Sequence, residues 1–129
     1  MLLDDQIAQF LRKADADEAA MLLLASGTRI DGAIVGFHAQ QSVEKRLKAL
    51  LCFRKVYFPR THDIQTLLDV VSQSGMAVPD EIEAAAELTP FAVTLRYDDI
   101  ADESDLPEIR RLIALTAAVR KWIYRNMPR

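Results

Sequence analysis

The chain holds two histidines, His38 and His62. Histidine gains and loses its proton near neutral pH, so an imidazole can pass a proton to or from a hydroxyl. A guanidinium beside it can hold a phosphate and oppose the charge that develops there. His62 follows a stretch, positions 45–60, that contains Lys45, Arg46, Lys48, Arg54, Lys55 and Arg60 and no acid. That is the best anion-facing region of the chain, and Tyr57 and Phe58 within it offer faces on which a base can stack. From spacing alone, an ordinary solvated basic turn reads the same way. A second basic run, Arg120, Lys121, Arg125 and Arg129, lies toward the C-terminal end, where complementing a helix dipole explains it equally well. The acidic segment 98–105 can pair with either patch or with the basic surface of a partner.

The remaining chemistry is narrowed by composition. There is one cysteine, Cys52, so neither an intrachain disulfide nor a cysteine-based zinc site within one chain is available. No metal ligand set and no cofactor motif stand out, and no Gly-rich phosphate loop is present. The net charge of -3 argues against coating nucleic acid by bulk charge, though it leaves room for a local basic patch. Half the residues are hydrophobic and 27% are charged, the composition of an ordinary soluble globule. Acids at positions 4 and 5 stand where a signal peptide needs its apolar core. The longest apolar run, AAMLLLA, is too short to cross a bilayer. A cytoplasmic protein without membrane contact is expected, folded as one domain over residues 1–129.

The elements that position these residues read as helices, with no convincing strand. Ile7, Phe10, Leu11, Ala14 and Met21–Leu24 give helical spacing over about 4–25, and Gly27 is a plausible stop. A second helix covers about 31–53 with Asp31 as cap. A third covers about 61–74, capped by Thr61, with His62 and Asp63 in its first turn and Gly75 ending it. Ala84, Leu88, Phe91, Ala92 and Leu95 share a face, so a fourth helix is expected from Pro79 to about Tyr97, kinked or broken at Pro90. The fifth begins near Leu106–Pro107 and runs to about Arg125. Long helices on short turns make an all-α, up-and-down bundle of about five helices.

On the second helix, Gly36, Ala39, Val43, Leu47 and Leu50 form the core stripe, bordered by Gln40. Phe37, Gln41, Glu44 and Lys48 form an adjacent polar ribbon, with Glu44 and Lys48 paired at i,i+4. The ribbon is either a solvated flank with one ion pair, or a polar row whose amides bond across a contact with another helix or subunit. Phe37, Gln40, Gln41 and Glu44 are its interface candidates. His38 faces away from the stripe, beside Ile34, Gln41 and Lys45, as a surface or interface residue.

FHAQQSVEKRLKALL, residues 37–51, resembles the second helix of HEPN domains, the higher-eukaryote and prokaryote nucleotide-binding domains, of the stand-alone prokaryotic type. Residues 14–27 resemble the family's first helix, 61–68 the start of its third, and 88–99 its fourth, ending in the pair Arg96–Tyr97. The resemblance covers roughly residues 10–125 and implies a compact helical bundle, like a nucleotidyltransferase substrate-binding subunit. It also implies a homodimer, and a minimal nucleotidyltransferase as partner. Many members are metal-independent ribonucleases that use an Arg followed, after four to six residues, by a His. Here Arg29 precedes His38 with eight residues between, Arg54 precedes His62 with seven, and Arg60 precedes it with one. No His follows position 62, so Arg96 has no partner in the family spacing.

The reading is therefore a non-catalytic, dimeric nucleotide- or RNA-binding module paired with a nucleotidyltransferase in a toxin–antitoxin-like system. Its anion-binding candidates are Lys48, Arg54, Lys55, Arg60, His62, Arg96 and Tyr97. The alternatives are a ribonuclease toxin with a rearranged site of His62 and Arg96, or a plain helical assembly module. His62 itself is open between a capping role and a polar cleft shared with Arg96 and Tyr97.

Overall fold

The computed structural model describes residues 3–92 and 106–128, with side chains of the last helix described from 108 onward. All regular elements among these residues are helical. Helix α1 spans Leu3–Ala25, α2 Gly32–Phe53, α3 Ile64–Gln73, α4 Asp80–Glu83 and α5 Leu106–Arg125, with a 3₁₀ segment over Ala84–Ala92. A small cavity of about 290 Å³ is lined by Asp4, Ile7, Ala8, Phe53, Met127 and Pro128. The start of α1 and the ends of α2 and α5 therefore meet at one pole. No described helix is long and apolar enough to cross a membrane.

Helix α2 is the axis of the molecule. It packs against α1, α3, α5 and the 3₁₀ segment, and fourteen of its 22 residues are buried. Ala39, Val43, Leu47 and Leu50 lie fully inside, as their spacing predicts. Asp31 caps the helix by accepting from the N–H groups of Ala33 and Ile34 at 3.0 and 3.2 Å, which satisfies donors that the helix itself leaves open.

Two expected boundaries move. Helix α3 starts at Ile64, with Asp63 as its cap; Asp63 Oδ1 accepts from the Gln65 N–H at 3.0 Å. Thr61 instead accepts from the Asp63 N–H at 3.0 Å, one step upstream. His62 thus belongs to the extended lead-in and not to the first turn. The fourth helix is not one α-helix either. After one α-turn the backbone tightens into the 3₁₀ segment that contains Pro90. A 3₁₀ coil stacks residues three apart. Ile82, Ala85 and Leu88 are buried and Phe91 packs on the core, so the inward row has period three. The remainder of that expected helix, 93–97, lies outside the described residues, as does the acidic segment 98–105.

Gly36 explains how closely the 3₁₀ segment approaches α2. A Cβ at Gly36 would overlap the Phe91 ring, so the ring occupies the space that the missing side chain leaves. Across the bundle, Arg111 of α5 grips Glu87 of the 3₁₀ segment with two bonds of 2.7 Å.

Candidate functional site

The adjacent glutamines of α2 have separate tasks. Gln40 is fully buried. Its amide nitrogen donates to Glu44 Oε1 and to the His62 carbonyl, both at 2.9 Å. Its oxygen accepts from Gln41 Nε2 at 2.7 Å. Gln40 therefore fastens α2 to the lead-in of α3, and a buried amide with these partners is satisfied. Glu44, also buried, accepts from Lys48 Nζ at 2.9 Å on its other oxygen. The i,i+4 pair is present, but Glu44 faces the protein and not solvent.

Glu44 also meets His62 Nδ1 at 2.9 Å. Burial pushes the Glu44 carboxyl up, but bonds from Gln40, Lys48 and His62, with the Lys48 charge, together hold it below its ordinary value. An ionised carboxylate only accepts, so Nδ1 carries the hydrogen in this contact. In that tautomer Nε2 is the ring nitrogen turned away from the carboxylate. The His62 side chain is 67% exposed, so that nitrogen is available to solvent. This is an imidazole oriented from behind by a buried carboxylate. Cys52 offers no comparable chemistry: its burial pushes the thiol up, away from the reactive thiolate.

The acid-free stretch 45–60 divides in three dimensions. Lys45 pairs with Asp17 at 2.5 Å, Lys48 with Glu44, and Arg46 with Asp15 and Glu18 at 2.8 and 2.6 Å. Those three cations are neutralised by acids remote in sequence or one turn away. Arg54 is half-buried and donates to the Ser74 carbonyl and Oγ at 3.3 and 3.4 Å. Lys55 and Arg60 are exposed and form no ion pair among the described residues. Tyr57 is 89% exposed, whereas Phe58 packs on the core.

The turn carrying Lys55 is unusual. Lys55 and Val56 donate their N–H groups to the carbonyls of Cys52 and Leu51 at 3.0 and 2.9 Å, the Schellman closure of a helix end. The same closure ends α3, where Gly75 and Met76 donate to Ser72 and Val71. Gly75 has φ +99 and Lys55 has φ 59. Glycine takes such a backbone without cost, and lysine does not.

A second polar layer, between α1, α2 and α5, escapes a reading of single segments. Arg46 is only 1% exposed. It also donates to Ser42 Oγ at 2.8 Å, and Ser42 donates to the Ala14 carbonyl at 2.9 Å. Glu18 is shared with Arg120 of α5, which removes Arg120 from the C-terminal basic run. His38 is held by Asp17 at 2.9 Å. The sequence signal was Glu18 itself, in the stripe Leu11, Ala14, Glu18, Met21. A carboxylate on an apolar stripe needs a buried cation opposite.

Of the remaining candidates, Phe37 and Gln41 are half-buried on the ribbon, while Gln40 and Glu44 are turned inward. Arg96, Tyr97 and Arg129 lie outside the described residues. Among the described residues no group of three or more His, Cys, Asp or Glu could hold a metal ion.

Known proteins share this arrangement of helices. The model of the HEPN domain matches residues 7–127. The fold is similar to the crystal structure of ST0689, an archaeal HEPN homologue, with a TM-score of 0.72 at 22% identity, covering 95% of this chain and 98% of that one. No curated protein matches.

Proposed function

Because the chain belongs to the HEPN domain family, we propose that it is a non-catalytic nucleotide- or RNA-binding module, a homodimer that works beside a minimal nucleotidyltransferase in a two-component system of the toxin–antitoxin kind. The observation that carries the binding half is the division of the basic stretch. Three of its cations are neutralised inside the fold, whereas Lys55 and Arg60 are exposed without an ion pair among the described residues and Arg54 bonds to Ser74, in a segment that also carries the 89%-exposed Tyr57. A lysine held on a left-handed backbone two residues before an exposed aromatic is a costly arrangement for a plain turn. The non-catalytic half is supported by the absence of the family's Arg–His spacing in the sequence.

The test is binding of a labelled single-stranded oligonucleotide as salt is raised. Replacing Arg54, Lys55 and Arg60 together by Ala is expected to weaken binding and to flatten its salt dependence, by about 0.7 in slope for each phosphate no longer neutralised. Equal binding and an equal slope would move the site elsewhere.

One observation favours a second reading, a metal-independent ribonuclease with a rearranged site: the 2.9 Å contact from buried Glu44 to exposed His62. In that reading His62 moves the proton and Arg96 is the phosphate ligand. Purified protein is expected to leave RNA intact. Cleavage that falls about 10²–10⁴-fold in His62→Ala, in folded protein, would replace the first reading by the second.

A further inference from the structure

The inward stripe of α1 alternates steps of three and four along its length: Asp4, Ile7, Leu11, Ala14, Glu18 and Met21. Leu11, Ala14, Glu18 and Met21 are buried, and Ile7 packs on the core. Two carboxylates therefore stand on an otherwise apolar row, and the fold treats them differently. Glu18 meets Arg46 and Arg120. Asp4, at the open end of the row, is exposed and forms no ion pair among the described residues.

Asp4 instead borders the cavity of about 290 Å³ at the pole where α1 starts and α2 and α5 end. The other described walls are apolar: Ile7 and Ala8 of α1, Phe53 at the end of α2, and Met127 and Pro128 after α5. Among the described residues no cationic side chain lines it, and Arg54, next to Phe53, bonds to Ser74. Phe53 is 41% exposed, a large ring left uncovered, and Ala8 is exposed and small. An acid in a first turn complements the helix dipole. Asp5 does so without bordering the cavity. The dipole accounts for both acids but not for an apolar cavity beside one of them.

We infer that this cavity binds a small organic ammonium ion, an amine carried on an apolar body, with Asp4 as its counter-ion. An apolar body leaves water for Ile7, Met127 and the Phe53 ring, and a single polar group fixes its orientation. The ammonium donates to the carboxylate, and an aromatic face beside it adds attraction. A neutral compound of the same shape gains the apolar part alone, and an anion is repelled by Asp4. The volume lies just below the range of about 300–1,000 Å³ common for ligand sites, so the occupant is the size of one ring with a short chain. The inference is independent of the basic segment and of the reading above.

Methyl resonances of Ile7 and Met127 in the full chain report on the cavity. Phenethylamine, phenethyl alcohol and hydrocinnamate share one shape and differ in charge. Titrated to about 10 mM, phenethylamine is expected to shift both methyl signals with a dissociation constant of about 1 mM. Phenethyl alcohol is expected to bind about fivefold more weakly, and hydrocinnamate more weakly still. Asp4→Asn, at an exposed position, is expected to bring the amine down to the alcohol and to leave the alcohol unchanged. Ala8→Phe fills the cavity from an exposed position and is expected to remove the shifts caused by all three. No shift from the amine at the highest concentration would overturn the site. Equal binding of the three compounds, or an Asp4→Asn variant that binds the amine as wild type does, would overturn the carboxylate as counter-ion.

Discussion

Lys55 stands where the backbone asks for glycine. Its φ of 59 places it in the left-handed region, and the equivalent position after α3 is Gly75. Lys55→Gly is expected to stabilise the fold by about 1 kcal/mol, read as a higher denaturant midpoint with an unchanged slope. The same variant is expected to bind an oligonucleotide more weakly. A residue that lowers stability while serving binding gives that pair of signs; one that merely fills a turn does not. Glu44 offers a second residue-scale check. Its carboxyl is held below the ordinary value of 4.5, so the unfolded chain takes up its proton first. The stability this contributes is present above about pH 4.5 and is lost as pH falls through the lower folded value. Glu44→Gln is expected to flatten the acid limb of a stability–pH curve measured by urea titration. Gln40 shows what the sequence conveyed here. Its place beside the stripe was legible, but its partner, a carbonyl 22 residues away, was not. Periodicity locates a side chain on its own helix and says nothing about what lies opposite.

Among the elements, α1, α2 and α5 were legible almost to the residue, because each is a long run of period 3.6 with a cap or a breaker at its ends. The start of α3 was not. Thr61 and Asp63 can both cap, and local chemistry does not choose between them. Tertiary contact does: the Thr89 hydroxyl accepts from the Ile64 N–H at 3.1 Å, and Gln40 holds the His62 carbonyl outside the helix. The 3₁₀ segment was missed because Leu88 and Phe91 are compatible with either period over so short a span. What decides for the tighter coil is the row Ile82, Ala85, Leu88, Phe91 and the seating of the last ring on Gly36. That seating is testable. In an exposed helix Gly→Ala is favourable by about 1 kcal/mol. At Gly36 the new methyl meets the Phe91 ring, and overpacking of this kind costs about 1–3 kcal/mol. Gly36→Ala is therefore expected to lower the urea midpoint. Adding Phe91→Ala is expected to cost less in the Gly36→Ala background than in wild type, since removing the ring also removes the clash. Additive effects would show that the ring does not rest on that glycine.

At the scale of the whole molecule, two polar layers cross the bundle on opposite sides of α2. One joins α2 to the lead-in of α3 through Gln40, Glu44 and His62. The other joins α2 to α1 and α5 through Arg46, Glu18 and Arg120. The family resemblance foretold the bundle but not the second layer, because the partners of Arg46 come from elements 28 to 31 residues upstream. The consequence for function is that half of the apparent basic stretch is scaffold. Only cations beyond the end of α2 are left to meet a ligand. The layer also sets a condition on stability. Taking two charges out of water is costly, and the pair persists because each partner satisfies the other. Removing one side leaves Glu18 with Arg120 alone, itself partly exposed, and Arg46→Ala opens a cavity as well. That variant is expected to cost about 3–5 kcal/mol, measured by urea unfolding. Arg46→Met with Glu18→Leu replaces the buried pair by apolar volume, and most of the loss is expected to return. If the double variant is as unstable as Arg46→Ala, the layer matters for its hydrogen bonds to Ser42 and Asp15 rather than for the buried charge on Glu18. If Arg46→Ala is itself nearly neutral, α1 and α2 are joined by their leucines and alanines, and the ionic layer only sets their register.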